Sequence, residues 1–190
     1  MKVWALALAA MAAAGIARAD DIAEKAALCA ACHGDKGMPL DASIPILWGQ
    51  NEGYIYLELK DMKKGARKND QMAAAVETLS RDDMLVVSNI ARYHRRGAPQ
   101  KSHLPYTSLD RDARLVVSKL ASILRIANAL DADHLQKVKD VKVLPEEDSW
   151  ILEVQGAGDM TIERLVALSR SDLFAEVFGR RIAFREAARV

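Results

Sequence analysis

Cysteine is scarce in this chain: 190 residues contain two, Cys29 and Cys32, and four histidines. A structural zinc site wants about four Cys/His ligands, so the pair with one adjoining histidine falls short. The βαβ setting of a thioredoxin-like redox pair is missing as well. Charge of one sign is also lacking, with 27 Lys/Arg against 26 Asp/Glu. Residues 20–88 carry 8 Lys/Arg and 12 Asp/Glu, a balance of −4, and residues 89–190 carry 17 and 14, a balance of +3. Neither imbalance suggests a nucleic-acid partner, and a solvated helix face is the ordinary reading of scattered basic residues. Long apolar runs are missing beyond the N-terminus, and no later stretch resembles a transmembrane segment.

What is present begins with Cys29-Ala30-Ala31-Cys32-His33. Two thiols three residues apart, followed at once by an imidazole, form the spacing of covalent c-type haem attachment. On one helix both thiols point to the same side, so each can form a thioether with one vinyl group of a single porphyrin. The neighbouring imidazole then reaches the iron as proximal ligand. The competing reading is a bare disulfide. One covalently bound haem c is therefore expected, with Cys29 and Cys32 as attachment residues and His33 as axial ligand.

The N-terminus reads as an export signal. Lys2 precedes an apolar run from Val3 to about Ile16, and Ala17-Arg18-Ala19 offers a small-residue cleavage site before Asp20. The run is shorter than the ~20 residues needed to cross a bilayer, so no stable membrane span is expected. Residues 1–19 are read as a cleaved signal peptide.

Helix signals follow. A short helix is expected from Asp20 or Asp21 through Ile22, Ala26 and Leu28 into the cysteine pair, with Asp as N-cap. Breakers in Gly34-Asp35-Lys36-Gly37-Met38-Pro39 then open a loop. An amphipathic helix is predicted from about Glu52 to Lys64 with Tyr54, Leu57 and Met62 on it, followed by a loop from Gly65 to Asp70. Another helix should begin near Ser80-Arg81-Asp82-Asp83, where Ser80 and Asp83 form a capping box with Asp in place of Glu, and run past Tyr93.

These stretches together resemble a class I bacterial cytochrome c of the short periplasmic electron-carrier kind. The resemblance rests on Cys32-His33-Gly34, Pro45-Ile46-Leu47-Trp48-Gly49-Gln50, the helix through Tyr54 to Leu59, Lys64-Gly65-Ala66-Arg67-Lys68-Asn69-Asp70-Gln71-Met72, and Leu79-Ser80. It covers roughly residues 20–93. It implies a helical haem domain over 20–88, export to the periplasm, redox proteins as partners, and no enzymatic activity. It also implies Met72 as the second axial ligand, opposite His33. Met38 lies too close to the attachment motif, while Met62 and Met84 fall within helices and are expected in the core. The same resemblance implies that Pro45 packs on the proximal side and accepts a hydrogen bond from the other nitrogen of His33. Trp48 would pack on the porphyrin edge or fill core.

The chain then continues. An amphipathic helix is predicted from about Asp110 to Ala129, with Leu115, Val116, Leu120, Ile123, Leu124 and Ile126 as its stripe. Strands are predicted at Val141–Leu144 and Trp150–Gln155, with Pro145-Glu146-Glu147-Asp148 as the turn. A helix from Thr161 to Leu168, a helical turn near Asp172–Phe178 and a strand from Arg181 to Phe184 complete a small α+β unit. The fold class expected overall is mainly α, a cytochrome c-like helical domain followed by that unit.

This half resembles the C-terminal region of the exopolyphosphatase and guanosine pentaphosphate phosphohydrolase family. The matching residues are Ala91-Arg92-Tyr93-His94-Arg95-Arg96, Ser102-His103, the run Leu120 to Asp131, Asp133-His134, Val138 to Val143, Leu173-Phe174 and Phe178-Gly179. The family's catalytic actin-like domains, with their glycine-rich phosphate loops and acidic metal ligands, are absent. Asn128 stands where an acidic residue is expected. The resemblance therefore implies a truncated, non-catalytic appendage over 89–190 and a fusion protein joined inside one helix without a linker. It further implies an exposed apolar face and self-association through the C-terminal half. The alternative is a haem-linked sensor or binding protein whose Arg92, Arg95 and Arg96 hold polyphosphate or a phosphorylated nucleotide. A solvated helix end, where cations also favour the C-terminal dipole, is the favoured reading of that basic cluster.

Overall fold

The computed structural model describes residues 21–34, 37–95, 97–133, 135–156 and 158–187. The predicted signal peptide, Arg96 and His134 lie outside the described residues. The chain forms two compact units, the first comprising residues up to Arg92 together with Pro99–Val117, the second Tyr93–Ala98 together with Ser118 onward.

The first unit is helical. Residues 21–33 form helix α1, followed by α2 (Glu52–Lys63), α3 (Asp70–Glu77), α4 (Arg81–Tyr93, of which Tyr93 belongs to the second unit) and the single turn α5 (Leu104–Thr107). Helix α6 (Arg111–Ala129) contributes its residues to both units. The helix starts follow capping chemistry. The Asn51 side chain accepts from Gly53 N at 2.8 Å, and that of Asn69 from Met72 N at 2.9 Å. The Asp110 carboxylate accepts from Ala113 N at 2.7 Å. Each satisfies an amide that has no partner within its own helix. At α4 the expected capping box is formed reciprocally: Ser80 N donates to Asp83 Oδ2 at 2.9 Å, and Asp83 N to Ser80 Oγ at 3.0 Å.

Packing follows from the helix faces. Leu59, Val76, Leu79 and Met84 make a buried cluster, with Ile55, Tyr56, Met62 and Met72 half-buried against it. Met62 and Met84 thus sit where the sequence reading placed them, in core packing. Lys63 clamps the end of α3, its ammonium donating to Glu77 O at 2.9 Å and also to Leu79 O. Lys25 of α1 donates to Asp83 at 3.0 Å and to Asp21 at 2.7 Å. One lysine therefore ties α1 to the capping box of α4.

The second unit is a small α+β body. Strands β1 (Val138–Pro145), β2 (Ser149–Gly156) and β3 (Arg181–Glu186) form a sheet in the order β1-β2-β3. The β1–β2 pair is an antiparallel hairpin with an irregularity between Val138 and Asp140, and β2 and β3 are parallel. A parallel pair needs a crossover, which α7 (Thr161–Ser169) and α8 (Asp172–Phe178) supply. Ile126, Leu152, Val154, Met160, Phe174 and Ile182 form its core. The Phe174 ring meets Trp150 edge to face at 6.4 Å and lies 4.4 Å from the Phe178 ring. Helical first unit and small sheet agree with the fold class expected from sequence.

Candidate haem-attachment site

The motif lies on α1. His33 is buried, Cys29 half-buried and Cys32 exposed, and both cysteines are free thiols. Burial pushes the Cys29 thiol above its ordinary range, so it is held as a thiol rather than a reactive thiolate.

The loop after α1 decides what His33 can do. Gly34 sits at φ +76°, the left-handed conformation that stops a helix, and its N–H bonds Ala30 O at 2.8 Å. Gly37 is also left-handed, and its carbonyl accepts from Leu47 N at 2.8 Å and Trp48 N at 3.0 Å. A Cβ on Gly37 would stand 3.1 Å from Trp48 N and 3.2 Å from Leu47 Cβ, so the closure needs glycine. Within the closed loop Asp41 Oδ1 accepts from Ser43 N at 2.8 Å and Ser43 Oγ at 2.7 Å. Those two bonds hold the Asp41 carboxyl below the usual carboxylate range. The result brings Pro45 O to 2.8 Å from His33 Nδ1.

A carbonyl oxygen only accepts, so Nδ1 carries the proton of the neutral ring and Nε2 keeps its lone pair. The second-sphere contact that the loop resemblance implied for Pro45 is present. Its chemical consequence is an imidazole with fixed tautomer and orientation, ready to bind a metal through Nε2.

Met72 is placed differently. It lies in the first turn of α3, in the same unit as His33, and its side chain packs on the Leu59, Val76, Leu79 and Met84 cluster, as does Met62. Cys29, Cys32 and His33 thus share one helix, while Met72 comes from another element and a packed environment. Among the described residues no group of three or more His, Cys, Asp or Glu side chains could hold a metal ion.

The apolar surface of the first unit suits a porphyrin. Of its exposed large apolar side chains, Leu28, Met38, Leu40, Ile46, Tyr54 and Leu57 fall between residues 28 and 57, and Leu104 and Leu115 lie outside that stretch. Two free thiols, a pre-oriented imidazole and a concentration of exposed apolar side chains in the same unit fit an attached porphyrin.

Of the three arginines in the alternative reading, Arg92 is ion-paired with Glu52, and its partner leaves less free charge for a phosphate. Sequence reasoning missed α3 itself and the role of Lys25. The signal for α3 was there in Asn69, a strong N-cap residue placed before Asp70-Gln71-Met72-Ala73-Ala74-Ala75. The Lys25 to Asp83 contact spans 58 positions and has no local signature.

No family model matches the chain. It is 38% identical over 63 residues to the thiosulfate dehydrogenase electron acceptor of Stutzerimonas stutzeri, covering 32% of this chain and 29% of that protein. It is 38% identical over 69 residues to cytochrome c4 of Pseudomonas aeruginosa, covering 36% of this chain and 33% of that one. The chain spans about a third of the length of these curated relatives. Part of the chain is therefore cytochrome c-like. No described helix is long and apolar enough to cross a membrane.

Proposed function

We propose that this is an exported monohaem c-type cytochrome that carries electrons, with its C-terminal part a non-catalytic appendage. The observation that carries the reading is the 2.8 Å contact between His33 Nδ1 and Pro45 O inside a Cys-x-x-Cys-His motif. Cys29 and Cys32 would attach one haem c through thioethers, and His33 Nε2 would bind its iron from one side. Met72 is proposed as the ligand from the other. It stands in the first turn of α3, just after the loop that ends at Asn69, at the position that the resemblance to the cytochromes gives the axial methionine.

Bound there, the haem supplies reversible one-electron exchange, and a His/Met ligand pair favours its reduced form. The chain's own residues do the rest. Pro45 O fixes the His33 ring, Gly34 and Gly37 fold the loop that places Pro45, and the apolar side chains of residues 28–57 exclude water from the attached group. One relative is named an electron acceptor, which supports redox proteins as partners, and the other a cytochrome c4, which supports a periplasmic location; the proposed route there is the signal peptide read at residues 1–19.

The region of cytochrome ancestry is proposed to be 20–88, and that of phosphohydrolase-family ancestry 89–190. The boundary is one of descent, since the compact units take residues 93–98 and 99–117 in an interleaved way. Self-association through the C-terminal half is proposed from exposed Ile162, Leu165 and Leu168 on α7 and exposed Val143 and Leu144 on β1.

The test is co-expression with a c-type haem maturation system, followed by haem staining after denaturing electrophoresis and reduced-minus-oxidised spectra. The expected result is covalent haem with a low-spin spectrum that Met72→Ala abolishes while covalent haem is retained. A chain that folds but carries no covalent haem would overturn the reading.

A further inference from the structure

The two side chains proposed for the iron are each held by one hydrogen bond from outside their own helix. Pro45 O stands 2.8 Å from His33 Nδ1. On the other element, Asn69 Oδ1 accepts from Met72 N at 2.9 Å. The Met72 amide lies in the first turn of α3, where no carbonyl of the same helix can reach it. Asn69 O takes the next amide, Ala73 N, at 2.9 Å. One residue therefore closes the turn that carries Met72.

That turn has little else to hold it. Helix α3 has eight residues, short of the ~12–15 at which an isolated helix becomes even marginally stable. Val76 is its buried side chain, and Met72 is half-buried one turn earlier. The Lys63 ammonium acts at the far end, on Glu77 O and Leu79 O, and leaves the first turn to Asn69. The loop that delivers Asn69 is itself tied back to α2. Gly65, left-handed at φ +71°, donates its N–H to Met62 O at 3.0 Å, Arg67 N donates to Asp61 O at 3.1 Å, and the Arg67 guanidinium is ion-paired with Glu58. From α2 to Met72 the backbone is fixed by bonds that need no bound group.

We propose that Asn69 is a positioning residue for the sixth ligand: by holding the Met72 amide, its side-chain oxygen sets the fraction of chains in which Met72 is on the iron. The inference rests on Met72 being that ligand. A frayed first turn carries the thioether away and opens its position to water or to an added base.

Imidazole titration of the haem-loaded ferric full chain reads that fraction, because imidazole competes for the position Met72 leaves. Imidazole should bind Asn69→Ala about fivefold more tightly than wild type, the effect of losing a typical cap. Asn69→Ser restores a capping oxygen without adding charge and should return to within about twofold of wild type. In a Met72→Ala background the Asn69→Ala change should have no effect. Unchanged affinity in Asn69→Ala, an equal gain with Met72 absent, or no rescue by Asn69→Ser would overturn the proposal and leave Met72 as ligand. An Asn69→Ala chain that loads no haem would overturn it too, since the residue would then hold the whole unit. Met72→Ala binding imidazole no more tightly than wild type would remove Met72 from the iron, and the proposal with it.

Discussion

Residues 28–57 and the three-stranded sheet treat their apolar side chains in opposite ways. In the first region Leu28, Met38, Leu40, Ile46, Tyr54 and Leu57 remain exposed, whereas in the sheet Ile151, Leu152, Val154 and Ile182 are buried. The sheet closes a core from its own chain, with α7 and α8 crossing between β2 and β3. The loop region uses its backbone hydrogen bonds for another purpose: left-handed glycines and the Asp41 turn set the position of one carbonyl on one imidazole. Strands β2 and β3 thus close a core from their own chain, while Val143 and Leu144 on the edge strand β1 stay exposed. The loop orients His33, the residue proposed above to bind the haem iron.

The largest effect that would break this comparison comes from the attachment motif. Replacing Cys29 and Cys32 together by Ala should remove all covalent haem on a stained denaturing gel. Far-ultraviolet dichroism of the apoprotein should then fall for helix while the sheet contribution persists. If helix and sheet signals are lost together, the two regions do not differ in what completes them. The reciprocal variant, Leu152→Ala, truncates a core side chain that pairs in register with Val143 and Phe184. It should cost about 2–5 kcal/mol in denaturant unfolding and leave haem content per chain unchanged.

The two regions were also unequally legible in the sequence. Every element of the sheet unit announced itself through local chemistry: β-branched runs at 141–144 and 150–155, a Pro-Glu-Glu-Asp turn, and Gly179 at φ +68° ending α8. In the first unit the motif was readable because a short sequence encodes it, and the Pro45 contact came from the resemblance. Helix α3 was passed over because its alanine-rich body carries little amphipathic pattern and its start is marked by a single residue, Asn69. The ion pair of Lys25 with Asp83 is a product of chain folding over 58 positions, and no window of sequence displays it. Resemblance supplied Met72, but the structure packs it and Met62 on one cluster, so burial alone does not separate them.

A smaller effect sharpens the comparison at the seam of α1 and α4. Ser80→Ala removes the oxygen that accepts from Asp83 N and should cost about 1 kcal/mol, with no change in the second unit's hydrogen exchange.

The smallest effect is a pH dependence confined to the first unit. Burial pushes the Asp83 carboxyl up, but the Ser80 backbone hydrogen bond and the Lys25 ammonium outweigh it and hold the group below its ordinary value. The folded chain then binds fewer protons at Asp83 than the unfolded chain, so stability rises with pH across that interval. The contribution is present above about pH 4, the ordinary Asp value, and is lost as pH falls through the lowered one. Lys25 moves the other way. Its hydrogen bonds to Asp21 and Asp83 raise it above the usual lysine range, so its contribution holds below about pH 10 and is lost as pH rises beyond. Lys25 stays 23% exposed, and water screens the pair, so the effect should be about 1 kcal/mol or less. Unfolding followed between pH 2 and 6 should show a shallower slope in Asp83→Asn than in the wild type. Equal slopes would mean that the contact joining α1 to α4 carries no net charge stabilisation.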